Sequence, residues 1–129
     1  MSEKFTVEII TPDKIMLKSE VEEVTIPSYE GQMGILKNHI PIITFLRPGL
    51  IIIKSAVEKK FYVEEGTVEF SNNNLLILTS TVKDLKNLDT TLVENLLQEA
   101  KKIFNDKNSS DKEKYITSYK IDTLKEINR

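Results

Sequence analysis

Cysteine and tryptophan are both absent from this chain, and histidine occurs once, at position 39. Without cysteine there is no disulfide framework, no thiolate metal site and no thiol nucleophile. With a single imidazole, a zinc centre built on histidines is excluded as well. No apolar run approaches the roughly 20 residues that a helix needs to cross a bilayer. A one-sided charge is also missing: the formal net charge is -2 with charged residues at 29%, whereas a dedicated nucleic-acid binder shows a basic surplus. Met1-Ser2-Glu3-Lys4 lacks the basic and apolar regions of a secretion signal. The expectation is a non-secreted protein, and any membrane association would come through a partner.

What is present divides into two periodicities. Phe5-Thr6-Val7-Glu8-Ile9 alternates apolar and polar residues, as a half-buried strand does. Thr11-Pro12-Asp13-Lys14 reads as a turn. Further strands are expected over residues 23–26, 42–46, 50–54, 60–64, 67–70 and 75–79, separated by Gly49, Gly66 and Ser71-Asn72-Asn73-Asn74. The runs Leu50-Ile51-Ile52-Ile53 and Leu75-Leu76-Ile77-Leu78 predict central strands buried on more than one face. Many short strands at this spacing imply a small sandwich or barrel.

Past Asp84 the period becomes helical. Leu92, Val93, Leu96, Leu97, Ala100, Ile103 and Phe104 fall within an arc of about 140° at 100° per residue. Asp89 is placed to cap that helix. Asn105-Asp106-Lys107-Asn108-Ser109-Ser110 breaks it, and Ser110 with Glu113 has the form of a capping box for a second helix over residues 111–128. The expected stripe of that helix is Tyr115, Ile116, Tyr119, Leu124 and Ile127, with Ile121 to one side. The fold class is therefore mainly β plus α, a sandwich over residues 1–84 followed by an antiparallel two-helix hairpin over 85–129. The short connection between the helices sets the antiparallel arrangement.

Catalytic patterns do not emerge. No serine lies in a G-x-S-x-G setting around His39. The carboxylates Glu20, Glu22 and Glu23, and the pair Glu64 and Glu65, read as solvated strand faces. Gly31-Gln32-Met33-Gly34 lacks the G-K-[ST] ending of a phosphate loop, and both glycines read as turn residues needing positive φ. No catalytic residue and no metal ligand is assigned. One open reading at this level is a free-standing sandwich that binds a ligand or another protein; a small hydrolase is the weaker one.

Thr11-Pro12, Val21-Glu22-Glu23-Val24, Glu30-Gly31-Gln32-Met33-Gly34-Ile35-Leu36, Asn38-His39-Ile40-Pro41 and Arg47-Pro48-Gly49 follow one another in an order that resembles the epsilon subunits of F-type ATP synthases. The resemblance extends over the whole chain. It implies a ten-stranded β-sandwich and two helices, in a non-catalytic central-stalk subunit of a proton-translocating rotary enzyme. The implied partners are the gamma subunit, the ring of c subunits and the alpha/beta catalytic subunits. The implied location is the cytoplasmic face of a bacterial inner membrane. Glu30, Gly31, Gln32 and His39 match the region that faces the ring, with Gln32 standing where the family often has a second acid. Some relatives bind ATP through an I/L-D-x-x-R-A motif; here Leu88-Asp89-Thr90-Thr91-Leu92-Val93 keeps Asp89 and has Leu92 in place of the arginine. No cofactor is expected, and Asp89 reads as a cap. Lys114, Lys125 and Arg129 share an arc of roughly 60° on the second helix and are the expected inhibitory contact.

Overall fold

The computed structural model describes residues 3–128. The strands are β1 (Phe5–Ile10), β2 (Ile15–Val21), β3 (Glu23–Ser28), β4 (Gly31–Leu36), β5 (Ile42–Leu46), β6 (Gly49–Lys54), β7 (Lys59–Val63), β8 (Gly66–Ser71), β9 (Asn74–Leu78) and β10 (Lys83–Asp84). They form one ten-stranded sheet in the order β10-β7-β6-β3-β5-β8-β9-β1-β2, with β4 paired to β3. All neighbours are antiparallel except β1 and β9, which run parallel. The sheet folds over a hydrophobic core that includes Val7, Ile9, Ile26, Ile35, Ile51, Phe70 and Ile77. In β1, β5, β8 and β9 alternate residues face inward, so the period-two pattern becomes the buried face.

The turns follow local chemistry. Thr11 N–H donates to the Lys14 carbonyl at 2.9 Å, closing the expected turn. Asn72 and Asn73 adopt φ of 50° and 59°, the left-handed pair that a two-residue hairpin loop needs. Three strands lie outside the sequence expectation: β2, β4 and the two-residue β10. Gly34 belongs to β4 and is not a turn residue, whereas Gly31 has φ +116°. The two apolar runs are less enclosed than expected. Ile52 and Leu76 are half-buried, and Leu78 is 44% exposed, because strand alternation turns it outward.

Residues from Lys86 onward make a separate compact unit. Helix α1 (Thr90–Asn105) buries Val93, Leu97 and Ala100, an i, i+4, i+7 line. Asp89 Oδ1 accepts from Leu92 N–H at 2.7 Å and starts it. The connection is fastened by Ser109 Oγ donating to the Ile103 carbonyl at 2.7 Å and Asn108 N–H donating to Asp106 Oδ1 at 2.8 Å. Helix α2 (Asp111–Ile127) opens with the expected capping box, Ser110 and Glu113 exchanging bonds of 3.0 and 3.1 Å. Its buried line differs from the expected stripe. Thr117, Thr123 and Leu124 are buried, while Tyr115 is 45% exposed and meets Tyr119 edge to face at 5.0 Å. Thr117 Oγ1 donates to the Glu113 carbonyl at 2.7 Å, so its methyl can pack inward with the hydroxyl satisfied. A count of apolar residues cannot see that.

Candidate functional site

The β3–β4 hairpin turns at Tyr29 and Glu30. Ser28, fully buried, closes it: its Oγ donates to the Gly31 carbonyl at 2.7 Å and accepts from Glu30 N–H at 3.2 Å. Gly31 takes the positive φ that brings the chain back. Tyr29 N–H donates to the Phe45 carbonyl at 3.1 Å and Arg47 N–H to the Pro27 carbonyl at 2.9 Å, which lock the hairpin base to β5. Glu30 and Gln32 therefore stand exposed on a rigid tip.

From that tip β4 runs along the sheet margin with Gln32, Gly34 and Leu36 outward and Ile35 buried. A Cβ on Gly34 would meet only Glu23 Oε2, at 3.7 Å, so this strip is flat and backbone-rich, a place for close approach. His39 lies beyond the far end of β4. Five residue steps separate Gly31 from Leu36, about 17 Å at strand rise, so His39 is not beside Glu30, Gly31 and Gln32. The structure instead joins them as two ends of one exposed strip.

The His39 ring is half-buried and meets Phe70 edge to face at 5.9 Å and 88°. His39 Nδ1 stands 2.7 Å from the Ile40 carbonyl. A carbonyl only accepts, so Nδ1 carries a hydrogen, and in the neutral tautomer Nε2 is the acceptor. Among the described residues the aromatic ring that His39 meets is the apolar one of Phe70.

A second surface was missed by sequence reasoning. In register across β5, β8, β9, β1 and β2 lie Phe45, Thr67, Leu78, Ile10 and Ile15. Phe45 is 60% exposed, Ile15 59%, and Ile43, one step along the same face of β5, 77%. The signal was available: Ile42-Ile43-Thr44-Phe45-Leu46 is apolar on both faces, and one face of a sandwich strand accounts for half of it. The row is apolar except at Thr67, and an exposed apolar face of this kind is a candidate partner surface.

On the helical unit, Lys125 is exposed and Lys114 half-buried. They share a stripe about 20° wide at 100° per residue. Lys114 borders the buried Thr117 and Leu124 line. Arg129 lies outside the described residues. Asp89 is exposed and occupied as a cap, and Leu92 offers no guanidinium to a phosphate.

Comparison with known proteins agrees with this architecture. Residues 4–84 match the family described as ATP synthase, Delta/Epsilon chain, beta-sandwich domain. The chain is 48% identical to the ATP synthase epsilon chain of Pelagibacter ubique, over 99% of this chain and 100% of that one. It is 31% identical to the epsilon chain of Parvibaculum lavamentivorans, over 98% and 97%. Among solved structures, a chain of the Euglena gracilis mitochondrial ATP synthase superposes with a TM-score of 0.74 at 17% identity, covering 95% of this chain and 78% of that one. A central-stalk and c-ring structure from Tetrahymena thermophila gives 0.66 at 16%, covering 99% and 98%. Those two show the shared fold; the curated relatives and the family model show the lineage. By both, the chain belongs to the ATP synthase delta/epsilon chain family, among its epsilon chains.

Proposed function

We propose that this chain works as the non-catalytic central-stalk subunit of a proton-translocating F-type ATP synthase, linking gamma to the ring of c subunits so that rotation reaches the catalytic head. The observation that carries the reading is the apolar ladder from Phe45 through Leu78 to Ile15, a surface five strands wide. Gamma covers that face. The β4 strip, with Glu30, Gly31 and Gln32 at one end and His39 at the other, meets the polar loops of the ring. Gln32, neutral here, contributes hydrogen bonds at that contact and no ion pair. Lys114 and Lys125 on α2, followed in sequence by Arg129, are the basic residues that meet acidic surfaces of the alpha/beta subunits.

No described helix is long and apolar enough to cross a membrane, so attachment runs through the complex. The full-length match to a bacterial relative supports the cytoplasmic face of a bacterial inner membrane. The division of labour is tested with a chain ending at Leu85. It is expected to fold and co-elute with gamma, and Phe45→Asp with Leu78→Asp is expected to abolish co-elution without loss of fold. Binding that survives both substitutions would remove the apolar ladder from the interface.

A further inference from the structure

The turn over residues 37–41 joins β4 to β5 and carries His39 and Ile40, and it is held from outside its own sequence neighbourhood. Asn38 N–H donates to Asn73 Oδ1 at 2.7 Å, and Asn73 Nδ2 donates back to Asn38 Oδ1 at 3.1 Å. Both residues are left-handed, with φ of 68° and 59°, a conformation asparagine tolerates better than most residues. The Asn73 end of the clasp is itself anchored. It sits in the two-residue loop between β8 and β9, and its carbonyl accepts from Thr6 N–H at 3.1 Å. On the turn's other side the His39 ring rests against Phe70, which is 1% exposed, and His39 N–H donates to the Leu36 carbonyl at 3.1 Å. So a turn fixed on two flanks leaves Ile40 72% exposed. Holding a contact side chain in its bound direction beforehand lowers the entropy lost on association.

We propose that Asn73 is a positioning residue: through its reciprocal amide pair with Asn38 it sets the direction in which Ile40 and His39 meet the partner at that end of the β4 strip. This rests on the reading of the strip as a ring contact. Ile40 supplies the apolar contact, His39 supplies the ring, and Asn73 acts on them through Asn38.

The test uses the full chain rebinding to complete membrane complex depleted of this subunit. Asn73→Gly removes the amide and keeps the left-handed loop accessible. It is expected to melt within a few degrees of the parent, to exchange the Asn38 amide hydrogen at least tenfold faster, and to bind about three- to tenfold more weakly. Asn72→Gly alters the same loop outside the clasp and is expected to bind like the parent. Asn73→Asp keeps the acceptor for Asn38 N–H and, with the Asn38 amide rotated, accepts its Nδ2–H, so it is expected to recover most of the affinity. Ile40→Ala reports on the contact itself and is expected to weaken binding at least as much. If Ile40→Ala weakens binding and Asn73→Gly does not, the positioning role is wrong while the contact stands. Equal losses for Asn72→Gly and Asn73→Gly overturn it too. Unchanged binding by Ile40→Ala removes the contact at this turn. Should Asn73→Gly fail to fold, Asn38→Gly deletes the side-chain half of the clasp and carries the same expectation.

Discussion

A Cβ atom added to Gly49 would stand 2.5 Å from Cβ of Pro27 and 2.9 Å from its Cγ. The glycine of Arg47-Pro48-Gly49 is thus a packing requirement, imposed by a proline ring one strand away that cannot rotate aside. Its neighbour Arg47 already bonds the Pro27 carbonyl, so the backbone has little room to retreat. Gly49→Ala is expected to destabilise the fold by about 1–3 kcal/mol, the range for overpacking a tight site, read as a lower urea midpoint. Gly34→Ala, with only Glu23 Oε2 at 3.7 Å, is expected to leave that midpoint nearly unchanged and to weaken binding to the depleted complex. Equal midpoints for the two variants would contradict the packing account.

The second prediction concerns acid. Ser80 Oγ donates to Glu65 Oε1 at 2.6 Å and Ser80 N–H to the same oxygen at 3.0 Å. The Ser80 hydroxyl chiefly holds the Glu65 carboxyl below its ordinary range; burial opposes it, and the Ser80 amide and the Thr79 and Thr81 hydroxyls add to the lowering. A carboxylate whose folded pKa is lowered binds protons more weakly when folded. Its contribution is present above the unfolded pKa of about 4.3 and is lost as pH falls through the lower folded value. Glu65 is largely solvated, so the contribution is small. Melting temperature against pH should therefore fall less steeply on the acid side in Glu65→Gln than in the parent. Identical acid limbs would show that the Ser80 bonds are not kept in solution.

Much of the fold was legible because burial obeys period two in strands and 3.6 in helices. β1 and α1 follow from that directly, β3 and β5 through β9 from short apolar segments between turn residues, and the Ser110–Glu113 box from cap chemistry. β4 was not legible, since Gly31 and Gly34 bracket Gln32-Met33 and offer no β-branched residue before Ile35; pairing with β3 makes it a strand. β2 hides because Ile15, Met16 and Leu17 break alternation, beside a register shift at Ile9/Ile10. The candidate strip was readable as a motif. Its shape was not, because Ser28, Asn73 and Phe70 build it from elements that only the fold brings together.

Nucleotide is the third case. Asp89 already accepts from Leu92 N–H at 2.7 Å, and no arginine follows at position 92 to fork onto a phosphate. Ligand stabilisation follows RT ln(1 + [L]/Kd), so millimolar ATP is expected to leave the melting temperature of the isolated chain unchanged. Asp89→Ala should instead cost about 1 kcal/mol through the lost cap, with or without ATP. A clear ATP-dependent rise in melting temperature would sink this reading.

The last prediction is that α2 carries the restraint on ATP hydrolysis. Its stability rests on modest features: three buried side chains, two of them threonines, and a capping box at its start. Thr117 Oγ1 and Ser118 Oγ both bond backward to carbonyls of the preceding turn, at 2.7 and 2.6 Å, a pattern that slightly weakens and bends a helix. A helix of this kind can exchange between two settings that differ by a few kcal/mol, which a regulatory element requires. Lys125 is exposed and Lys114 half-buried beside the Thr117 line. Lys125 is thus open to an acidic partner surface in the present setting, whereas Lys114 becomes fully available only when α2 moves. In the assembled enzyme, a chain ending at Asn108 is therefore expected to raise ATP hydrolysis over the full chain. Lys125→Glu is expected to reproduce part of that rise, and Lys114→Glu to add to it. Ser110→Ala, which removes the cap and costs about 1 kcal/mol of helix stability, should shift the rate between those of the full and shortened chains. Hydrolysis that is the same for all of these would make α2 a passive appendage of the stalk.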